Sequence, residues 1–516
     1  MDEKLAVLQE MQERGHAREL GHLENYFAIC QRQDLYTNFS MFCELSDACS
    51  FEEFTFALRS ICLENPILLH TVIPKKWPNH LEYYASEEYT SNPVSNHEFM
   101  RLLENVNMSD LLMNTQDEYA EVVSKIFEIF NRNGGHYTSE IFDMTAAIRI
   151  PYGDPVKPNW RVLCFPGGSE NSWSKFLYIS NHCSSDAGSA MNLFKDISAQ
   201  LNNLPEKLPT TDTVFDYSSD YEKIGRLPIP IEQRVDYKPP LTYFPQLLGA
   251  QFLRNHLSYH SKGAVVSRIT TPDEGNRAYS RFLNFTSEQM QAIKNKIKTQ
   301  VNPQCTMTPF LQTCLLVSLY KSGKIFSGSF REWFMDMVIP MRTSQLLPDD
   351  DEVRDMYKYG ANIGGSRYNY LISSLNIGDD KEAFWSLVKY YNDVFIKAKE
   401  NKHYLYPLGA LMLDSVRQRT NVDKIVVDDL LGLPRDGAVL SNIGFVKQAA
   451  DIKKYKIQDM VFSQTLGSLR HSFTMSACTT AVGGMNIVAC AAHGTVSCKK
   501  DWEDLCELFK QEVLTI

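Results

Sequence analysis

The chain has 516 residues with a formal net charge of −10, a balance that argues against a nucleic-acid partner, since phosphate binding needs clustered Lys and Arg. Hydrophobic residues make up 44% and charged residues 22%, as in a soluble globular protein, and the length calls for two or more lobes. The 12 cysteines form no C-x-x-C pair. No apolar run reaches membrane-spanning length, and MDEKLAVLQEMQERG lacks the apolar core of a signal peptide, so the protein is expected to be intracellular and cytoplasmic with reduced, buried thiols. The sequons at Asn38 and Asn284 are then chance matches.

In chain order, Ser50-Phe51-Glu52-Glu53 forms a capping box, and Phe51, Phe54, Leu58, Ile61 and Cys62 follow at helical spacing. Asn65-Pro66 ends that helix, because the residue before proline avoids helical angles. Ile67 to Ile73 has strand character. Trp160 to Phe165 and Phe176 to Asn181 predict an antiparallel hairpin through the turn residues Pro166-Gly167-Gly168-Ser169. A helix follows, with Ala190, Leu193, Phe194, Ile197 and Leu201 on its apolar face. The proline-rich stretch from about Thr210 to Pro245 predicts extended, poorly packed chain crossing between lobes. Beyond it, helices are expected over Thr308 to Tyr320 and Lys381 to Glu400, with strands over Met335 to Ile339 and Asn486 to Ala491. The class is mixed α/β, two lobes with a cleft between them: an N-terminal lobe over 1–225, a crossover over 226–246 and a C-terminal lobe over 247–516.

Between the hairpin and its helix lies His182-Cys183-Ser184-Ser185-Asp186-Ala187-Gly188. A histidine in this strand-to-helix connection is held rigidly enough to take a proton from a hydroxyl, amine or thiol attacking an acyl carbonyl; its ordinary pKa near 6.5 suits neutral pH, and such bases contribute about 10²–10⁴-fold. Strand alternation sends Cys183 away from the face that His182 occupies, against a Cys-His nucleophile. Asp186 sits around the turn, where it braces the loop without needing to touch the imidazole. H-x-x-x-D alone is a weak pattern.

The stretches GHARELGHLENYFAICQRQDLYTNF, ALRSICLENPILLHTVIPKKWPNH, SNHCSSDAGS, LPDDDEVRDMYKYGANIG and VLSNIGFV, in this order over nearly the whole chain, resemble the yeast alcohol O-acetyltransferase family. This family is related to the chloramphenicol acetyltransferases and the plant BAHD acyltransferases. The resemblance implies two similar mixed-sheet lobes with an acyl-CoA tunnel between them, acetyl-CoA as co-substrate, no metal, and small or medium alcohols as acceptors. It implies His182 as general base and Asp186 as a structural carboxylate turned away from it. Arg342, in VIPMRTSQLLP, is the implied partner of that carboxylate, and Gly188 the small residue of the turn. Departures are the alanine inserted in Tyr359-Gly360-Ala361-Asn362, the one-place shift of the glycine behind Ala187, and the absence of a DFGWG run, with Ser441-Asn442-Ile443-Gly444 in a comparable region.

Other residues have plainer explanations. His256 and His260 lack a third ligand at metal spacing, Ser322-Gly323-Lys324 lacks the rest of a phosphate loop, and Lys294, Lys296 and Lys298 suit a solvated helix face. No G-x-S-x-G occurs. Two helical stripes, Leu20/Leu23/Phe27/Cys30 and Trp502/Leu505/Cys506/Phe509/Val513, suit packing against the lobes; the resemblance adds peripheral contact with lipid droplets or the endoplasmic reticulum. The expected protein is a monomeric alcohol O-acetyltransferase forming acetate esters. Alternatives are an N- or sterol O-acetyltransferase of the same fold, a thioesterase or esterase, and a non-catalytic CoA-binding or lipid-surface protein.

Overall fold

The computed structural model describes residues 2–32, 35–36, 38–73, 99–167, 172–183, 185–259, 278–326, 330–413, 422–431, 436–465 and 471–516. Its main strands are β1 (Phe39–Ser50), β2 (Trp160–Pro166), β3 (Ser172–Ser180), β4 (Ala278–Phe285), β5 (Phe334–Arg342), β6 (Ile363–Leu371), β7 (Asp436–Phe445), β8 (Ile457–Ser463), β9 (His471–Thr480) and β10 (Gly484–Ala492). Its main helices are α1 (Asp2–Arg14), α2 (His22–Arg32), α3 (Phe51–Glu64), α4 (Ala187–Leu201), α5 (Phe244–His256), α6 (Met307–Lys321), α7 (Lys381–Glu400) and α8 (Lys499–Thr515).

Two sheets organise the molecule. One has the order β8-β1-β3-β2, all antiparallel, and carries α3 and α4 on one face. The other has the order β6-β5-β7-β9-β10-β4 and is mixed, with β5-β7 and β7-β9 parallel. Every residue of β9 and β10 is buried, as expected of central strands covered on both faces. The strand β8 comes from the C-terminal part of the chain yet pairs with β1 of the N-terminal sheet, Phe462 opposite Met41. The first hydrophobic core accordingly mixes Leu58, Leu193 and Phe194 with Tyr357, Tyr404 and Phe462.

The local signals hold where the chain is described. Ser50 and Glu53 close the capping box on α3, and the helix ends at Glu64 with Asn65 as its C-cap. Pro66–Leu69 is a 3₁₀ turn and only His70–Ile73 is strand, because proline at its first position suits a helical turn. The hairpin pairs Trp160 with Ser180 and Cys164 with Phe176; its turn residues Gly168 and Ser169 lie outside the described residues. The crossover is only partly extended, with 3₁₀ turns at Ile231–Gln233 and Leu241–Tyr243 and α5 starting at Phe244, and it is not loosely packed: Ile231, Val235 and Tyr237 are buried. The Tyr237 hydroxyl meets Thr343 Oγ1 at 2.7 Å, and Gly409 lies so close to the Tyr237 carbonyl that a Cβ would fall 1.6 Å from that oxygen.

Both terminal stripes face inward. Leu20, Leu23, Phe27 and Cys30 are buried, as are Trp502, Leu505, Cys506, Phe509 and Val513. The inverted case is α5 with the turn before it. Leu241, Leu248 and Phe252 point to solvent, whereas Arg254 is buried and donates to Gln251 Oε1 at 2.7 Å. Gln246 and Gln251 line a ≈ 290 Å³ cavity with Arg367, Lys397 and His403. Among the described residues no helix is long and apolar enough to cross a membrane.

Candidate active site

The connection from β3 to α4 is built by side chains that replace missing backbone partners. β3 ends at Ser180, and Asn181 Oδ1 accepts the Cys183 N–H at 3.1 Å, turning the chain out of the sheet. Asp186 is the N-cap of α4, in extended conformation, its Oδ1 accepting from Ser189 N at 2.7 Å and Ser189 Oγ at 2.9 Å. A carboxylate there satisfies an orphan amide and meets the positive end of the helix dipole.

The other Asp186 oxygen, Oδ2, accepts from Arg342 Nε at 3.2 Å and from the Asn362 N–H at 3.1 Å. None of the carboxylate's hydrogen bonds goes to His182. Arg342, the last residue of β5, also donates to the Lys358 carbonyl at 2.7 Å and to Ser189 Oγ at 3.3 Å. The segment 357–362 is tied down from both sides. Ser189 Oγ shares its single hydrogen between Asp186 Oδ1 and the Gly360 carbonyl, Asn362 Nδ2 donates to the Tyr357 and Tyr359 carbonyls, and Tyr359 Oη and Lys358 Nζ both reach Asp196 of α4 at 2.6 Å. Gly360 takes a φ of +110°, which a residue with a side chain resists. Gly188 has a different reason to be glycine: a Cβ there would lie 2.8 Å from Arg342 Cδ. The displaced glycine thus makes room for the arginine.

His182 lies just outside this lock, buried at 4% exposure. Its ring stacks on Phe27 of α2, with centroids 4.4 Å apart and planes 11° apart; Tyr36 meets its edge at 5.2 Å and Phe39 tilts against it at 5.2 Å. Burial pulls its pKa down to about 4, outweighing the Asp186 charge and the nearby backbone of His182 and Ser185, which raise it. The ring is therefore neutral, and able to accept a proton, at physiological pH. Nδ1 is sealed from solvent and forms no hydrogen bond of good geometry, so Nε2 is the nitrogen left for a substrate. Cys183 is fully buried, its Sγ 3.7 Å from the Glu24 carbonyl of α2. Because β3 has already ended, the bend rather than strand alternation separates the thiol from the imidazole. Ser184 lies outside the described residues.

The geometry brings His182, Asp186, Gly188 and Arg342 together at one connection, with the imidazole on one side and the carboxylate–guanidinium lock on the other. Asn362 and Ser189 were missed as members of the lock. A signal existed for Ser189, three residues after an aspartate N-cap. Phe27, Tyr36 and Phe39 carried no signal beyond apolar periodicity.

The comparisons with known proteins identify the family. A sequence model of the family Alcohol acetyltransferase matches residues 19–513. The chain belongs to this family. It is 40% identical to Alcohol O-acetyltransferase 1 of Saccharomyces cerevisiae and 39% identical to Alcohol O-acetyltransferase 2 of the same yeast, in each case covering 98% of this chain and 97% of the relative. Among solved structures, a trichothecene 15-O-acetyltransferase from Fusarium sporotrichioides superposes with a TM-score of 0.62 over 96% of this chain and 94% of that one, at 11% identity. The family's enzymes are acyltransferases, and the fold is the mixed α/β type of the chloramphenicol acetyltransferase-like enzymes.

The remaining candidates keep their plainer roles. His256 is exposed and packs on Phe252; His260 lies outside the described residues. Gly323 makes a turn at φ +62°, and Lys324 pairs with Asp501 and Asp504. Lys296 and Lys298 are exposed, and Lys294 lies over the Phe445 ring. Eleven of the twelve cysteines are buried and all twelve are free.

Proposed function

We propose that this protein transfers the acetyl group of acetyl-CoA to small or medium-chain alcohols, with both substrates bound together in a tunnel between the lobes. The observation that carries the reading is the division of labour at the β3–α4 connection: an imidazole held neutral beside a carboxylate whose hydrogen bonds all point elsewhere. His182 Nε2 takes the hydroxyl proton as the alcohol oxygen attacks the thioester carbonyl. The tetrahedral intermediate collapses to the acetate ester, and the CoA thiolate leaves and receives the proton from His182. Asp186 and Arg342 hold the loop and take no proton. The thioester is already activated, so the scheme asks for no metal.

Within this reading the lobes span 1–225 and 247–516, joined by 226–246, with β8 exchanged into the first sheet. The enzyme works as a monomer. Its peripheral contact with lipid droplets or endoplasmic reticulum is made by α5 rather than by the buried terminal stripes. The exposed Leu241, Leu248 and Phe252 support this, as does the absence of any Asp or Glu from 241–256 in a chain of net charge −10, since acidic residues would repel anionic lipid.

The test is His182→Ala, assayed for ester formation with acetyl-CoA and a panel of primary alcohols, sterols and amines. Turnover should fall at least about a hundredfold with the fold intact. Near-normal turnover would remove His182 from the chemistry; thiol release independent of any acceptor would make the protein a thioesterase instead.

A further inference from the structure

In catalytic sites where an imidazole acts as base, a hydrogen bond to the far nitrogen usually sets its orientation. Here the far nitrogen, Nδ1, faces the backbone of His182 and Ser185 but, among the described residues, makes no well-formed hydrogen bond. The only carboxylate in the motif spends its oxygens on Ser189, Arg342 and Asn362. Packing must therefore share in setting the rotation of the ring. Among the described aromatic neighbours Phe27 is the one nearly parallel to it, 11° between planes at 4.4 Å, whereas Tyr36 and Phe39 lie at 76° and 48°. A ring turned about its side-chain bonds would lose that stacked face.

The helix presenting Phe27 is anchored to the same loop. Glu24, one turn earlier on α2, accepts from both terminal guanidinium nitrogens of Arg18 at 2.8 Å and from the Gly21 N–H at 2.8 Å, while its carbonyl receives the Cys183 thiol. The His22 N–H donates to Glu232 of the crossover. The Phe27 ring is thus fixed relative to the backbone of residues 182–183 and to the segment joining the lobes.

We infer that Phe27 is a positioning residue: by face-to-face stacking it holds the His182 imidazole in the rotation that presents Nε2 to the acceptor hydroxyl, the task a carboxylate performs in a Ser-His-Asp triad. The inference rests on His182 being the base. Aromatic stacking favours one ring orientation by up to about tenfold, and a misplacement of about 1 Å in a reacting group costs about a hundredfold in rate. The flat face also excludes water from the ring.

The test compares Phe27→Leu, Phe27→Tyr and His182→Ala with the parent, each checked for folding. The readouts are kcat, KM for acetyl-CoA and the pH at which kcat/KM falls on the acidic side. Phe27→Leu keeps an apolar side chain without the flat face. It should lower kcat about 10- to 100-fold with KM within about twofold, and move the acidic limb upward by about one pH unit or more as the ring rehydrates. Phe27→Tyr keeps the face and should stay within about threefold of the parent. A folded Phe27→Leu with kcat within about threefold and an unmoved limb overturns the inference, as does equal loss in Phe27→Leu and Phe27→Tyr. Activity retained by His182→Ala overturns the catalytic reading itself; loss there with Phe27→Leu unaffected overturns only the positioning role.

Discussion

Removing the Asp186 carboxylate separates a structural role from a chemical one. In Asp186→Ala, Arg342 loses its counter-charge, α4 loses its N-cap and the Asn362 N–H loses its acceptor. Breaking a buried ion pair by deleting one partner costs about 3–5 kcal/mol, and Arg342, with 18% of its side chain exposed, places this pair at the lower end. The lost cap adds about 1 kcal/mol and the orphaned amide about 1–2 kcal/mol. These contributions share one network and do not simply add, so the expected loss is about 4 kcal/mol. Arg342→Ala leaves Asp186 with three of its four donors and should cost about 2–3 kcal/mol. The double variant should cost about 1–2 kcal/mol less than the sum, because each single change already abolishes the shared contact. Asp186→Asn is not conservative: each oxygen accepts two donors, so an amide NH2 on either side meets donors. Urea midpoints, read beside turnover at saturating substrate, measure all of this. If Asp186→Ala unfolds at the parent's midpoint, within about 1 kcal/mol, yet loses a thousandfold in turnover, the carboxylate takes part in the chemistry and the reasoning fails.

Gly188→Ala should destabilise by about 1–2 kcal/mol through crowding against the pinned Arg342; in an Arg342→Ala background it should stabilise instead by up to about 1 kcal/mol, since alanine is then simply the better helix former, and paired urea curves report the change of sign. Glu232→Gln concerns a carboxyl whose pKa burial, reinforced by the Glu24 charge, raises from 4.5 to about 7. A raised carboxyl pKa makes the fold most stable below 4.5 and weakens it as the group ionises toward and above pH 7, so the amide should stabilise by about 1–2 kcal/mol at pH 8 and give no gain at pH 5; equal effects at both values would refute the assignment. Replacing Leu248 and Phe252 by Ser should abolish flotation with lipid-coated droplets while leaving acetyl transfer in solution unchanged, whereas flotation retained would remove α5 from lipid contact.

How much of this was legible in the chain depends on the range of the forces involved. The α3 capping box, the stop at Asn65, the hairpin and the helix over 381–400 rest on neighbours within a few residues, and local chemistry fixes them. The inward-facing stripes were legible as periodicity alone. The exposed apolar side of α5 was not, because the Pro-rich run before it masks helical spacing and nothing local says which face meets the body. At the site, the motif pointed to His182 and Asp186, and family likeness supplied Arg342 and Gly188. The clash that demands glycine at 188 and the Asn362 amide on Asp186 arise from contacts across 154 to 176 residues, beyond any local pattern. The aromatic clasp joins Phe27 and Tyr36 to a histidine more than 140 residues away for the same reason.

The exchanged strand β8 bears on how the enzyme is made. The sheet that carries His182 lacks its edge at β1 until residues 457–463 emerge, more than 400 residues after β1 itself. A nascent chain halted anywhere before then displays an open row of β1 amides and carbonyls, ready to pair with a stranger. Translation speed through the codons for 457–463, and chaperones waiting there, should therefore govern yield more than events around β1.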